Sequence, residues 1–168
     1  MKALLRFVDG INEWTGRVFA WAVVLIVGIT VYDVFMRNVF SLPTVWAFDM
    51  SNQLYGLQFM IMAGFGLLHR VHVSVDVFWQ HLSPRARALM DLLSYAVFFF
   101  PFMFMLLSQS WQFAARSWAT KETGWGAVAM PLYPLKIAIV VATVLLLLQG
   151  IATTLRLLGS LTRPKVQA

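Results

Sequence analysis

Uncharged stretches long enough to cross a lipid bilayer constrain this chain more than any other feature. Met50–Leu68 and Ile137–Leu155 each run nineteen residues without a charged side chain, and Leu92–Ala115 runs twenty-four. A hydrocarbon core of ~30 Å takes about 20 helical residues to cross, so each stretch has spanning length. A fourth, Val18–Tyr32, is uncharged for only fifteen residues and reaches that length by continuing past Asp33 to Met36. With 60% apolar and 12% charged residues, too little polar surface remains to cover a globule in water. The fold class that follows is an all-α membrane protein with four transmembrane helices, at about 17–36, 46–68, 88–111 and 135–157.

One polar interruption organises these spans. His69–Arg87 gathers all three histidines and three arginines, and it forms the middle loop, 69–87, between the second and third spans. Loops at 37–45 and 112–134 lie on the opposite side. Nine of the thirteen lysines and arginines fall on the side of the middle loop and the termini. Cytoplasmic loops carry the excess of such residues, so both termini and the middle loop are expected in the cytoplasm and the other two loops in the periplasm. The tryptophans suit these boundaries: Trp14, Trp21 and Trp79 fall near the inner interface, and Trp46, Trp111, Trp118 and Trp125 near the outer one. No small-residue cleavage site follows the first apolar run, so a cleaved signal peptide is not expected.

Residues 1–16 place Leu4, Leu5, Val8, Ile11 and Trp14 on one helical face and Lys2, Arg6, Asp9 and Glu13 on the other. This pattern predicts an interfacial amphipathic helix leading into the first span. Ser83 is a natural N-cap and Pro84 suits a first helical position, so the third helix starts there. Pro101 predicts a kink in mid-span, where a backbone hydrogen bond is lost.

The residues argue against most chemistries. No cysteine is present, which excludes disulfides, thiol redox chemistry and thiolate metal sites. The net charge of +6 sits at span ends rather than on one face, so it belongs to membrane surfaces and no nucleic acid is expected as a partner. No charged residue lies near the middle of a span, where a solitary ion-coupled transporter carries one. Asp33 and Arg37, one turn apart, read as a local ion pair. His69, His72, Asp76 and Gln80 share a helical face and have the donor types for a divalent metal. The same residues suit an interfacial segment, anchored by His72, Asp76, Trp79, Arg85 and Arg87, and that reading is preferred. No metal, no cofactor and no catalytic constellation of nucleophile, base and orienting group is expected. Polar residues such as Gln58, Ser94, Ser108, Gln109, Gln149 and Thr153 serve as hydrogen-bond donors within the bundle or toward a partner.

Four short motifs, in order, resemble the small membrane subunit of tripartite ATP-independent periplasmic (TRAP) transporters, the DctQ-like family. Arg37-Asn38-Val39-Phe40 is similar to the family's R-x-x-F, and Trp46 with Asp49 to its W-x-x-E, with aspartate in place of glutamate. His72-Val73-Ser74-Val75-Asp76 resembles H-V-x-V-D, and Glu122 with Pro131, Pro134 and Lys136 resembles E…P-x-x-P-x-K. The resemblance implies a non-catalytic scaffold subunit of a sodium-coupled organic-acid importer, multi-pass in a bacterial inner membrane. Its implied partners are a large multi-span permease subunit that moves as an elevator, a periplasmic substrate-binding protein, and membrane lipids. Arg37, Trp46, Asp49, Gln58, Glu122 and Trp125 are the candidate partner contacts. The alternative is a stand-alone homo-oligomeric four-helix transporter of small molecules.

The orientation is testable because the chain lacks cysteine. A single cysteine at Thr123 is expected to react with a membrane-impermeant maleimide in intact spheroplasts, and one at Gln167 only after permeabilisation. The reverse labelling pattern would invert the orientation.

Overall fold

The computed structural model describes residues 2–69, 83–124 and 128–162. Helix α1 spans Lys2–Ala20, and α2 spans Ala22–Phe40, the two separated by a turn at Trp21. Ser41 ends α2 in the left-handed region (φ 55°), with the Leu42 N–H donating to Met36 O at 3.2 Å. Pro43 follows two residues later and forbids continuation. Helix α3 spans Ala47–Leu68. Helix α4, Pro84–Ser94, begins as its sequence predicts: Ser83 accepts from the Ala86 N–H at 3.3 Å and Pro84 holds the first position. A π turn at Tyr95–Phe99 joins α4 to α5, Phe100–Thr120, and α6 runs from Tyr133 to Thr162.

The π turn is how the chain accommodates Pro101. Proline has no N–H to offer the carbonyl four residues back, and its ring crowds that carbonyl. The turn before it widens, with the Phe100 N–H donating to Tyr95 O, and the helix continues instead of stopping. It also runs past residue 111, where the sequence suggested loop, to Thr120. The segment Phe113–Thr120 is alanine-rich and free of glycine and proline, so helix is its favoured state. Lys121, at φ 51°, closes the end.

Among the described residues, three helical stretches are long and apolar enough to cross a membrane: Leu5–Phe40, Arg85–Thr120 and Tyr133–Gly159. Helix α3 has length but not apolarity, because Ser51, Asn52, Gln53 and Gln58 occupy its first two-thirds. Yet α3 packs against α1, α2 and α6, and α6 in turn against α1, α3, α4 and α5. Gln53 reaches the Pro131 carbonyl and Gln58 lies by Met62 of its own helix, protein partners of a kind that lipid cannot offer. The first turns of α1 meet the second half of α6 at one end of the bundle, here the terminal end. The segments 41–46, 121–124 and 128–132 form the opposite, loop end.

Helix α1 forms, but part of its polar face meets protein and not water. Trp14, on the apolar face, is 66% exposed, as the lipid-facing side of an interfacial helix would be. Asp9 and Glu13, assigned to water, are half-buried, and Asn12 between them is fully buried. The polar stripe turns inward because its counter-groups lie on the facing helices, Gln149 and Arg156 on α6 and His69 at the end of α3.

Small residues let the helices approach. Ala22, Ala47, Ala88, Ala114, Ala138, Ala142 and Ala152 are buried beside Met103 and Ile61, the contact chemistry of helices packed in lipid. Three glycines act as seats: a Cβ at Gly16 would meet the Phe65 ring at 2.3 Å, one at Gly150 the Phe99 ring at 2.2 Å, and one at Gly64 the Asn12 Oδ1 at 2.2 Å. Gly64→Ala is therefore expected to unseat the Asn12 carboxamide and destabilise the fold by about 1–3 kcal/mol. Gly28, where a Cβ meets nothing within 4 Å, is the control, and its alanine variant should melt no lower than the native chain in detergent. An unchanged melting midpoint for the Gly64 variant would mean that the seat is slack.

Candidate functional sites at the two ends of the bundle

At the terminal end, four side chains form one chain of contacts. Asn12 Nδ2 donates to Gln149 Oε1 at 3.0 Å and to the Val8 carbonyl at 3.1 Å. Gln149 Nε2 donates to Asp9 Oδ1 at 3.2 Å, and Asp9 pairs with Arg156. Asn12 and Gln149 are both 0% exposed, so their amide–amide bond is shielded from water. Such interhelical bonds contribute about 0.6–2 kcal/mol each in a membrane. The Asn12 Oδ1, held against Gly64, has no hydrogen-bond partner among the described residues. Beside this chain, Glu13 pairs with Arg17 at 2.7 Å, and its Oε2 lies 2.6 Å from His69 Nε2. A carboxylate only accepts, so the imidazole presents its proton on Nε2. The His69 ring also packs, tilted by 48°, against Phe65, 4.3 Å between centroids, the ring seated on Gly16. Passing toward its N-terminus, α1 thus touches α3 first and then α6.

At the loop end, carboxylates tie loops to helices. Asp33 pairs with Arg37 at 2.8 Å, the local ion pair its spacing predicts, and also accepts from the Thr44 N–H at 3.3 Å and from the Thr44 hydroxyl. It thereby fixes the α2–α3 loop to α2. Trp46, half-exposed, lies 6.2 Å from the Tyr32 ring. In the second loop, Glu122 pairs with Lys136, whose ammonium sits 3.8 Å from the Phe113 ring centroid. The Leu132 N–H donates to the Glu122 carbonyl at 2.9 Å, the Gly124 N–H to Met130 O at 2.7 Å, and Thr123 bridges Pro131. Gln53 Nε2 reaches the Pro131 carbonyl at 3.4 Å, joining this loop to α3. The Lys136 ammonium hydrogen-bonded to Glu122 holds its carboxyl below the ordinary value of 4.5. The buried Ser117 hydroxyl adds to this, close to the carboxylate without completing a hydrogen bond of normal geometry.

Between the first turns of α3 and this loop lies a pocket of about 270 Å³, lined by Asp49, Asn52 and Gln53 on one side and Gly124, Val128 and Met130 on the other. The candidate contacts therefore separate. Arg37 and Trp46 flank the first loop, Asp49 lines the pocket, and Glu122 braces the second loop. Gln58 is half-buried in α3, its Nε2 3.7 Å from Met62 Sδ. Arg85 and Arg87 are exposed on the first turns of α4. Trp125, His72, Asp76 and Trp79 lie outside the described residues, as does Gln80 of the metal-type face. His69, the member of that face which is described, faces Glu13. Among the described residues, no three histidine, aspartate or glutamate side chains come together as metal donors.

Sequence reasoning missed the terminal-end cluster. Gln149 was identified as a hydrogen-bonding residue, but its partners Asn12 and Asp9 lie 137 and 140 residues away. The available signal was a single amide in a nineteen-residue uncharged run, facing an Asp9–Asn12–Glu13 stripe at helical spacing.

Long apolar helices with uncovered surfaces, buried interhelical amides and charges gathered at the bundle ends define an integral membrane protein. Its membership follows from comparison: the profile of the tripartite ATP-independent periplasmic transporter DctQ component matches residues 26–159, and the chain belongs to that family. It is thus a transporter component, of the kind that normally works with a large permease and a binding protein. No curated protein and no solved structure matches the chain.

Glu122 makes stability depend on pH. Its folded-state pKa is depressed, so its contribution is full above the unfolded value near 4.5 and is lost as pH falls through the lower folded value. Thermal melting in detergent is expected to show a falling midpoint below that pH, and Glu122→Gln should show a smaller fall. Parallel pH profiles for the two proteins would remove Glu122 from the account.

Proposed function

We propose that this chain is the non-catalytic scaffold subunit of a sodium-coupled secondary importer of organic acids or related solutes. On this reading it crosses the bacterial inner membrane four times with both termini in the cytoplasm. Helix α3, at 22 residues, is about 33 Å long at 1.5 Å per residue, which suits the fourth crossing despite its polarity. The chain braces a large elevator-type permease subunit and helps to dock the periplasmic binding protein.

The observation that carries this reading is the uncovered apolar surface of two helices in a chain of this family. Val24, Leu25, Val31 and Phe35 of α2 are all more than half exposed, as are Phe98, Phe102, Met105 and Trp111 along α4–α5. Exposed apolar surface on this scale marks contact with lipid or protein, and a subunit that braces another needs both. Docking is supported by the loop end, where Asp49 and the pocket beside it stand next to a loop cross-braced by Glu122, Lys136 and Gln53. A braced loop presents a surface at low entropic cost to binding.

Reconstitution tests the division of labour. A tagged chain is expected to recover a larger multi-span subunit from the native membrane, and sodium-driven uptake in liposomes should require both together with the binding protein. Uptake by this chain alone would instead establish the stand-alone homo-oligomeric transporter.

A further inference from the structure

The loop end carries Arg37, Arg116, Lys121 and Lys136, and three of these four cations are engaged. Arg37 pairs with Asp33, Lys136 with Glu122 and the Phe113 ring, and Lys121 lies 4.2 Å from the Trp118 ring centroid and 5.3 Å from that of Tyr133. Arg116 is exposed, and among the described residues it makes no ion pair and no ring contact. Its position on α5 is informative. Phe104, Ser108, Gln112 and Arg116 follow at intervals of four, so they share one stripe of the helix. The lower three, with Trp111, line a groove of about 530 Å³ whose other wall is Val140 and Val144 of α6.

That volume lies in the range of roughly 300–1,000 Å³ found for small-molecule sites. The groove is apolar at its deep end, near Phe104 and Val144, and becomes polar toward Gln112. Arg116 stands one helical turn beyond that rim. An apolar slot below a guanidinium is complementary to an anionic amphiphile, with hydrocarbon in the slot and phosphate at the rim. Guanidinium binds phosphate oxygens through paired hydrogen bonds. Trp111, 66% exposed at the same level, suits the headgroup region, where amphipathic rings concentrate. A partner helix packed here would have to bring a counter-charge to the Arg116 guanidinium or leave it desolvated, at a cost of several kcal/mol.

We propose that the α5–α6 groove binds one anionic phospholipid, its acyl chain between Phe104 and Val144 and its phosphate on Arg116, with Gln112 donating a further hydrogen bond. Binding there is separate from the scaffold role and holds whether or not that role is correct.

Native mass spectrometry of the full chain released from dioleoyl-phosphatidylglycerol or dioleoyl-phosphatidylcholine nanodiscs reads the bound lipid directly. One phosphatidylglycerol is expected to remain on each chain, with phosphatidylcholine retained about tenfold less, a difference of ~1.4 kcal/mol. Arg116→Gln should reduce phosphatidylglycerol to the phosphatidylcholine level, and Val144→Trp, which fills the slot, should remove both. Arg6→Gln, at the terminal end, should leave retention unchanged. Should the tryptophan variant fail to fold, the Arg116 variant decides alone, since its side chain is exposed. Equal retention of the two lipids by the native chain overturns the proposal. Unchanged retention in Arg116→Gln, or an equal loss in Arg6→Gln through general charge attraction, does so as well.

Discussion

A carboxamide buried against a glycine joins three helices of this protein. Asn12 reaches from α1 to Gln149 on α6 and rests its oxygen on Gly64 of α3. Both amides are cut off from water, where an unmade hydrogen bond costs more than a made one contributes. The pair therefore specifies position: α1 has few alternative seats that satisfy Asn12, Asp9 and Glu13 at once. Moving α1 along α6 by one turn would separate Asn12 from Gln149 and Asp9 from Arg156 together.

The same constraint explains why polarity sits where it does. Helix α3 carries four polar side chains in its first two-thirds and packs against three other helices, whereas the long apolar stretches of α2 and α4–α5 are largely uncovered. In water the order would be reversed, with polar helices outside. In lipid a backbone or side-chain amide has only protein to bond to, so polar residues move to contacts and apolar ones to the periphery. Glycine and alanine then set how closely the helices pack. Phe65 on Gly16 and Phe99 on Gly150 are large side chains received by absent ones. Phe99 belongs to the π turn imposed ahead of Pro101, so a local defect in one helix supplies the ring that anchors it to the next.

The two ends of the bundle differ in kind. The terminal end is closed by contacts between residues far apart in sequence, and Asp9, Asn12 and Glu13 stand outside the stretch matched by the family profile, residues 26–159. The loop end is braced by contacts nearer in sequence, Asp33 to Thr44 and Glu122 to Lys136. Pinning both loops to their own helices leaves Asp49 and its pocket on a firm base. A surface meant for a partner needs that firmness, because ordering a loose loop on contact subtracts from affinity.

Composition and periodicity determined that this chain is a helical membrane protein, where its long apolar runs lie, that α4 starts at Ser83-Pro84, and that Arg37 pairs with Asp33. These are local matters: an uncharged run, a cap and an i,i+4 spacing are decided within a few residues of themselves. Helical periodicity likewise placed Asp9 and Glu13 on one face of α1. Which way that stripe turned was not a local matter. An amphipathic helix can present its polar side to water or to buried partners, and the choice falls to whichever lowers the desolvation cost of its charges. Only the tertiary structure brought Gln149, Arg156 and His69 within reach, from α6 and from the end of α3, and so turned the polar side inward.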